Sequence, residues 1–101
     1  TASPMKLQFE WDGEKARKNT AKHGVDFHEA ATVFRDRLAA IFDDIWHSDE
    51  EYREIIVGYS AKHRLLVVIF TQRGSSVRII SARKATRREV QTHENRPDRN
   101  R

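Results

Sequence analysis

The chain has no cysteine, only two prolines and four glycines, and its longest apolar run is six residues. Without cysteine there can be no disulfide, no thiolate metal ligand and no cysteine nucleophile. The apolar run, residues 65–70, is far shorter than the roughly 20 residues that a membrane-spanning helix needs. No signal-peptide pattern opens the sequence. Together with a length of 101 residues, these absences favour one small cytoplasmic domain with a single core.

Charge is distributed unevenly along the chain. The net charge is +4, but residues 1–61 carry 8 basic and 12 acidic side chains, whereas residues 62–101 carry 11 and 3. Thirteen of the basic residues are arginines, whose planar guanidinium suits bidentate contact with phosphate. A basic half of this kind indicates a nucleic-acid or acidic protein partner, or else only a solvated charged surface.

The first half of the chain shows one strand pattern followed by two helix patterns. Apolar residues alternate over positions 7–11, as in a half-buried strand. Asp12 can then cap a helix over residues 14–23, and Gly24 can end it. Asp26, with Glu29 three positions later, predicts the start of a second short helix through a capping box.

The second half is rich in strands. Residues 39–42, 53–60, 64–71 and 76–84 predict four strands, and the short connections among the last three indicate an antiparallel meander. Residues 65–70 are apolar at every position, which predicts a central strand buried on both faces. Thr86 and Glu89 form a capping box that opens a final helix.

These patterns predict an α+β domain over residues 5–94 in the order β-α-α-β-β-β-β-α, with helices packed on one face of an antiparallel sheet. Residues 1–4 precede a methionine and are interpreted as a remnant of cloning. Residues 95–101 form a polar tail. Trp46 and Tyr52 lie in the acidic stretch 43–54 and are expected to be exposed, either as a lid over the core edge or as a base-stacking surface.

Few residues are spaced for catalysis or metal binding. The five histidines, at positions 23, 28, 47, 63 and 93, lack the spacing of a metal site, and we predict no metal and no cofactor. There is no nucleophile-elbow motif and no glycine-rich phosphate loop. The arginines remain as candidates. Arg78 and Arg83 lie on one predicted strand at odd separation, so strand alternation predicts that they point to opposite faces.

Two sequence elements carry a resemblance to a known family. Residues 22–27 read K-H-G-V-D-F, and residues 78–89 read R-I-I-S-A-R-K-A-T-R-R-E. With Phe9-Glu10-Trp11-Asp12 and the strand starts at Arg53 and Arg64, they resemble the BrnT family of bacterial type II toxins. The resemblance extends from about Met5 to Glu89.

The resemblance implies a RelE-like fold and a ribonuclease that inhibits translation. It also implies neutralisation by a BrnA-like antitoxin, through which the complex binds operator DNA and represses its own operon, with a possible homodimer in the complex. A metal-independent endoribonuclease needs a base, an acid and cations that stabilise the developing phosphorane charge. The alternative is a catalytically silent module that only holds its antitoxin and modulates DNA binding.

The family pattern assigns basic residues to the catalytic or phosphate-binding set. We carry over Arg53, Arg64 and Arg83 in that role. Glu54 and the Lys22–His23 pair are weaker candidates for proton transfer, and the general base stays unassigned. The residues predicted to bind RNA are Lys22, His23, Arg78, Lys84, Arg87 and Arg88.

Overall fold

The computed structural model describes residues 7–46 and 51–97. The predicted domain start at Met5, His47 and residues 98–101 of the tail lie outside these ranges. Over these two ranges the chain forms three α-helices and a five-stranded mixed sheet in the order β1-β5-β4-β3-β2. The elements are β1 (Gln8–Glu10), α1 (Gly13–His23), α2 (Phe27–Thr32), β2 (Ala40–Asp43), β3 (Glu54–Tyr59), β4 (Leu65–Arg73), β5 (Ser76–Lys84) and α3 (Arg87–Glu94).

The predicted ends of α1 are confirmed. The Asp12 carboxylate accepts hydrogen bonds from the backbone N–H of Glu14 at 2.9 Å and of Lys15 at 3.0 Å. At the other end Gly24 adopts a left-handed conformation with a φ of +68°, and its N–H donates to the Thr20 carbonyl. Both contacts satisfy backbone groups that a helix end leaves open, so local sequence suffices to define this helix.

The capping box at α2 is only half formed. The Asp26 carboxylate accepts from the Glu29 N–H at 2.7 Å, as predicted. The Glu29 side chain, however, accepts from Ser60 Oγ at 2.7 Å and pairs with Arg64. A contact across the fold has therefore replaced the local one.

The antiparallel meander is confirmed for β2 to β5, and β4 is the middle strand of the sheet. Five of its first six residues are buried. β1 is the exception, because it runs parallel to β5 over three residue pairs. The sheet is consequently mixed, which corrects the prediction of an entirely antiparallel one.

Helices α1 and α2 cover one face of the sheet, where the core lies. Phe27, Ala30 and Val33 pack with the buried residues Ile56, Leu66, Val68, Phe70 and Ile79. Gly58 lets the segment after α2 approach the sheet, since a Cβ there would lie 2.8 Å from the Ala39 Cβ. Packing is therefore close at this point, and any side chain would displace its neighbours.

Helix α3 lies against the opposite face, which we call the open face. Its residues Thr92 and His93 line a cavity together with Val57 and Val67, which alternate with the core residues of β3 and β4. The prediction that the helices share one face therefore holds for α1 and α2 and is wrong for α3. Within residues 7–46 and 51–97, no helix is long and apolar enough to cross a membrane.

A β-bulge in β5 decides where two arginines point. Ile69 pairs with Ser81 and Phe70 pairs with Ile79, so Ile80 is an extra residue on β5. Because of this extra residue, the side chains of Arg78 and Arg83 lie on the same face of the sheet, the open face. The prediction that they point to opposite faces is wrong because it assumed unbroken alternation.

Candidate functional site

A cleft of about 280 Å³ opens on the open face near the bulged strand. Its floor is apolar and formed by Ile55, Val67 and Ile69, whereas its walls carry ionisable and aromatic side chains. The wall residues are His23, Asp44, Trp46, Ser81 and Arg83. A basic side chain, an imidazole and an exposed indole thus converge on one concave surface.

Asn19 brings the end of α1 to this cleft. Its Nδ2 donates to the Ala82 carbonyl at 2.7 Å, and its Oδ1 accepts from the Ala82 N–H at 3.1 Å. β1 pairs only with residues 76–78 of β5, so this side chain satisfies backbone groups on the strand edge beyond β1. His23 follows one helical turn later on the same side of α1, which places it beside Arg83 in the cleft wall.

Arg83 is held in a fixed orientation by α3. Its two terminal nitrogens donate to the two carboxylate oxygens of Glu89 at 2.8 and 2.9 Å. The same carboxylate accepts from the Thr86 N–H in the capping box. Chiefly through the Arg83 hydrogen bonds, the pKa of Glu89 is lowered to about 2, and the pKa of Arg83 is raised. Both groups are charged at neutral pH, and 41% of the Arg83 side chain stays exposed.

A second, larger cavity of about 370 Å³ lies between α3 and the open face. Arg83, Ile55 and Val67 line both cavities, so the two spaces adjoin. The remaining lining combines apolar strand residues with polar residues of α3 and the segment after it. These are Phe42, Val57, Arg88, Glu89, Thr92, His93 and Arg96.

Arg64 lies on the other side of the sheet. Its guanidinium pairs with Glu29, whose side chain is only 2% exposed, and donates to the Gly24 carbonyl at 3.1 Å. The Arg64 hydrogen bond lowers the pKa of Glu29, against the opposing effect of burial. Arg64 therefore joins the start of β4 to α2, away from the cleft.

Comparison with known proteins then decides the family. The family model described as "Ribonuclease toxin, BrnT, of type II toxin-antitoxin system" matches residues 11–89. The chain belongs to the BrnT family. Its fold is similar to the 1.1 Å crystal structure of the Brucella abortus ribonuclease toxin BrnT, with a TM-score of 0.64 and 28% identity. That match covers 81% of this chain and 100% of the other. A search of curated protein sequences gives no match.

Within this BrnT-family chain, the three arginines predicted as catalytic do not meet at one point. Arg83 lines the cleft and Arg64 lies on the α2 side. Arg53 directly precedes β3, and its carbonyl accepts from the Asp44 N–H at 2.9 Å. Alternation from Ile55 directs Arg53 toward the open face, near the Asp44 end of the cleft. Arg53 and Arg83 thus share a face that excludes Arg64.

The predicted RNA-binding residues divide between cleft, strand and surface. His23 is half-buried in the cleft wall, and Arg78 pairs with Glu10 at 2.8 Å farther along the open face. Lys22, Lys84, Arg87 and Arg88 are exposed.

Two BrnT residues that sequence reasoning missed shape the site. Asn19 lies in a helix that contributes to the family resemblance, but nothing in the sequence assigned it a role in the site. Glu89 had a clear signal in its capping box, but that pattern predicts only its contact with Thr86 and not its ion pair with Arg83. Among the described residues, no group of three or more His, Cys, Asp or Glu could hold a metal ion.

Proposed function

We propose that this chain is an endoribonuclease that cleaves RNA in the open-face cleft without a metal ion and thereby inhibits translation in the cytoplasm. The observation that carries the proposal is the meeting of Arg83 and His23 in one cleft of a BrnT-family fold. A fixed guanidinium supplies permanent positive charge at a phosphate, and histidine is the side chain most often used to move protons at neutral pH.

The chemistry assigns one role to each group. The 2′-hydroxyl oxygen of a nucleotide attacks the adjacent phosphorus, and the P–O5′ bond breaks. His23 takes the 2′-hydroxyl proton, while Arg83 stabilises the charge on the phosphorane oxygens. A proton from solvent or an acid reaches the departing 5′ oxygen. The products are a 2′,3′-cyclic phosphate and a 5′-hydroxyl end.

Glu54, a weaker candidate for the base, does not reach this cleft. It pairs in register with the core residue Phe70, and strand alternation puts it on the α2 side of the sheet. His23 is thus the better placed of the two candidates.

Cleavage of a purified RNA in the presence of excess EDTA tests the mechanism. We expect full activity with EDTA and cyclic-phosphate ends, and His23→Gln should lower the rate about 100-fold, within the usual range for a lost general base. His28→Gln is the matched control, because His28 is exposed and packs on Trp11 outside the cleft. Loss of activity with EDTA and its return with magnesium or zinc would refute the metal-free mechanism.

A type II toxin–antitoxin family implies an antitoxin partner, and we propose that a BrnA-like antitoxin covers the open face. Residues 62–88 carry eight basic and no acidic side chains, which favours an acidic partner segment. The large apolar side chains Phe42, Ile45 and Trp46 are 50%, 73% and 83% exposed, and Trp46 lines the cleft wall. A partner would bury these groups together with the site, and the complex would bind operator DNA through the antitoxin.

Hydrogen exchange of the free and antitoxin-bound chain tests this placement. We expect protection in β2 and β3 and around Arg87 and Arg88, since those segments border the open face. Exchange in α2 should stay unchanged, because α2 packs on the other side of the sheet. Protection limited to α1 and α2 would rule out direct occlusion of the cleft.

The alternative, a catalytically silent binding module, has one observation in its favour. Arg83 and Arg64 are both already paired with carboxylates, so both guanidinium groups have a counter-charge in the free protein before any phosphate binds. Under this alternative no RNA is cleaved in the EDTA experiment. The antitoxin still binds, and it protects the same segments from hydrogen exchange as expected above.

A further inference from the structure

The cavity beneath α3 is not used by the chemistry proposed for the cleft. Its floor is apolar, formed by Phe42, Ile55, Val57 and Val67. Its rim carries the three guanidinium groups of Arg83, Arg88 and Arg96 and one carboxylate, that of Glu89. The Glu89 carboxylate is already bonded to Arg83 and to the Thr86 N–H. Arginines therefore outnumber carboxylates among the residues that line this apolar slot.

Fixed contacts hold α3 above this slot. The Tyr59 hydroxyl donates to Glu94 at 2.8 Å, and the Tyr59 ring packs edge-on against His93. At the other side the Arg96 guanidinium lies 5.9 Å from the centre of the Phe42 ring. With Arg83–Glu89 as a third attachment, the helix is tied to the sheet around the cavity, which keeps the space open.

An occupant that complements this cavity is apolar where it meets the floor and carries negative charge near the arginines. A nucleobase with its phosphate meets both requirements, since bases stack on aromatic and guanidinium planes while arginines neutralise phosphates. A volume of about 370 Å³ is at the lower end of the usual range for ligand pockets, which suits one nucleotide. An apolar peptide side chain would fill the floor but would make no charged contact with the exposed guanidinium of Arg88.

We propose that this cavity binds the RNA base adjacent to the scissile phosphate and so sets the base preference of cleavage. The inference rests on the proposed ribonuclease function, because Arg83 lines both spaces and a phosphate held by it would place the neighbouring base under α3. Thr92, His93 and Arg96 lie beyond residue 89, where the family match ends. The base preference is therefore built partly by residues outside the matched region.

Two adjacent arginines provide a matched test of binding. Arg87 and Arg88 are both exposed at the start of α3, but only Arg88 lines the cavity. The probe is a fluorescent 2′-O-methyl RNA oligonucleotide, which lacks the attacking hydroxyl and cannot be cleaved, and its affinity is read by anisotropy. We expect Arg88→Ala to weaken binding about 10-fold and Arg87→Ala by no more than about 3-fold at equal salt.

A second pair of variants tests base preference. Thr92→Trp should fill the cavity from its exposed rim. Gln91→Trp places the same side chain on the preceding residue, which does not line the cavity. With 2′-O-methyl homopolymers of A, C and U, we expect the unaltered protein to discriminate among bases. Thr92→Trp should bind all three equally, and Gln91→Trp should keep the original order.

The outcomes separate this inference from the proposed function. Equal losses for Arg88→Ala and Arg87→Ala, or unchanged base preference in Thr92→Trp, would overturn the base site even if RNA is still cleaved. Unchanged oligonucleotide affinity and base order in Thr92→Trp, together with loss of antitoxin binding, would assign the cavity to the protein partner and also overturn the base site. If RNA is never cleaved but the binding differences appear, the ribonuclease proposal fails, and the cavity is an RNA-base site with no role in cleavage.

Discussion

Replacing Arg83 by alanine is expected to lower the rate of RNA cleavage by about 100- to 1,000-fold, the usual cost of losing one preorganised donor to a transition-state oxyanion. Arg83 is the cation that lines the cleft together with His23, and Glu89 fixes its orientation before substrate arrives. A guanidinium held in place contributes more to the transition state than a mobile one, because it needs little reorganisation during the reaction. Initial rates on a short RNA, measured with EDTA present, give the effect directly.

Two further variants show whether the loss is specific to Arg83. Arg73 is also ion-paired, with Glu51 at 3.2 Å, but it lies at the β4–β5 hairpin outside both cavities. Arg73→Ala should therefore leave cleavage within about 2-fold of the original rate, as for a surface pair. Arg83→Lys should recover only part of the activity, because an ammonium group cannot make the forked contact. Unchanged cleavage in Arg83→Ala would remove Arg83 from the site.

Local sequence signals predicted the helix ends and the central strand because these features depend on residues close together in the chain. The caps at Asp12, Gly24 and Thr86 depend on residues no more than four positions away. The central place of β4 follows from its continuous apolar run, since only a strand covered on both faces buries every side chain. These features needed no knowledge of the rest of the chain.

The errors arose where distant residues decide the structure. The bulge at Ile80 switches which face of the sheet the following side chains of β5 point to, and no spacing rule reveals an unpaired residue in advance. The face chosen by α3 depends on Tyr59, which lies 35 residues before its partner Glu94. The same holds for Arg64, because Glu29 is 35 residues away and was predicted only as part of a local cap. The sequence therefore predicted which types of residue form the candidate site, but not how they are arranged in space.

Replacing Arg64 by alanine is expected to lower the melting temperature by about 10 °C, the largest effect on stability among the substitutions considered. The change leaves the Glu29 carboxylate, 2% exposed, without the cation that compensates its burial. Arg78→Ala is the matched control, because its partner Glu10 is 40% exposed and can be solvated by water. That variant should lose only about 1–3 °C in the same calorimetric scan.

The loss caused by Arg64→Ala should depend on pH in a defined direction. Arg64 lowers the pKa of Glu29 in the folded protein, so the pair stabilises fully above the ordinary value of 4.5. The stabilisation disappears as pH falls through the lowered folded pKa. The difference in melting temperature between the two proteins should thus be largest near pH 7 and should shrink below about pH 4.5. A difference that grows with acidification would contradict this ion pair as the cause.

A double substitution separates stability from catalysis at Arg64, which the resemblance led us to predict as a catalytic residue. Replacing both partners, as Glu29→Leu with Arg64→Met, removes the buried charge together with its cation and should restore most of the lost stability. If cleavage also returns to within a few-fold, Arg64 acts through Glu29 and the site belongs to the open face alone. If the protein melts normally but cleaves RNA 100-fold more slowly or worse, Arg64 contributes to the reaction itself, and the assignment of the site to the Arg83 cleft is wrong.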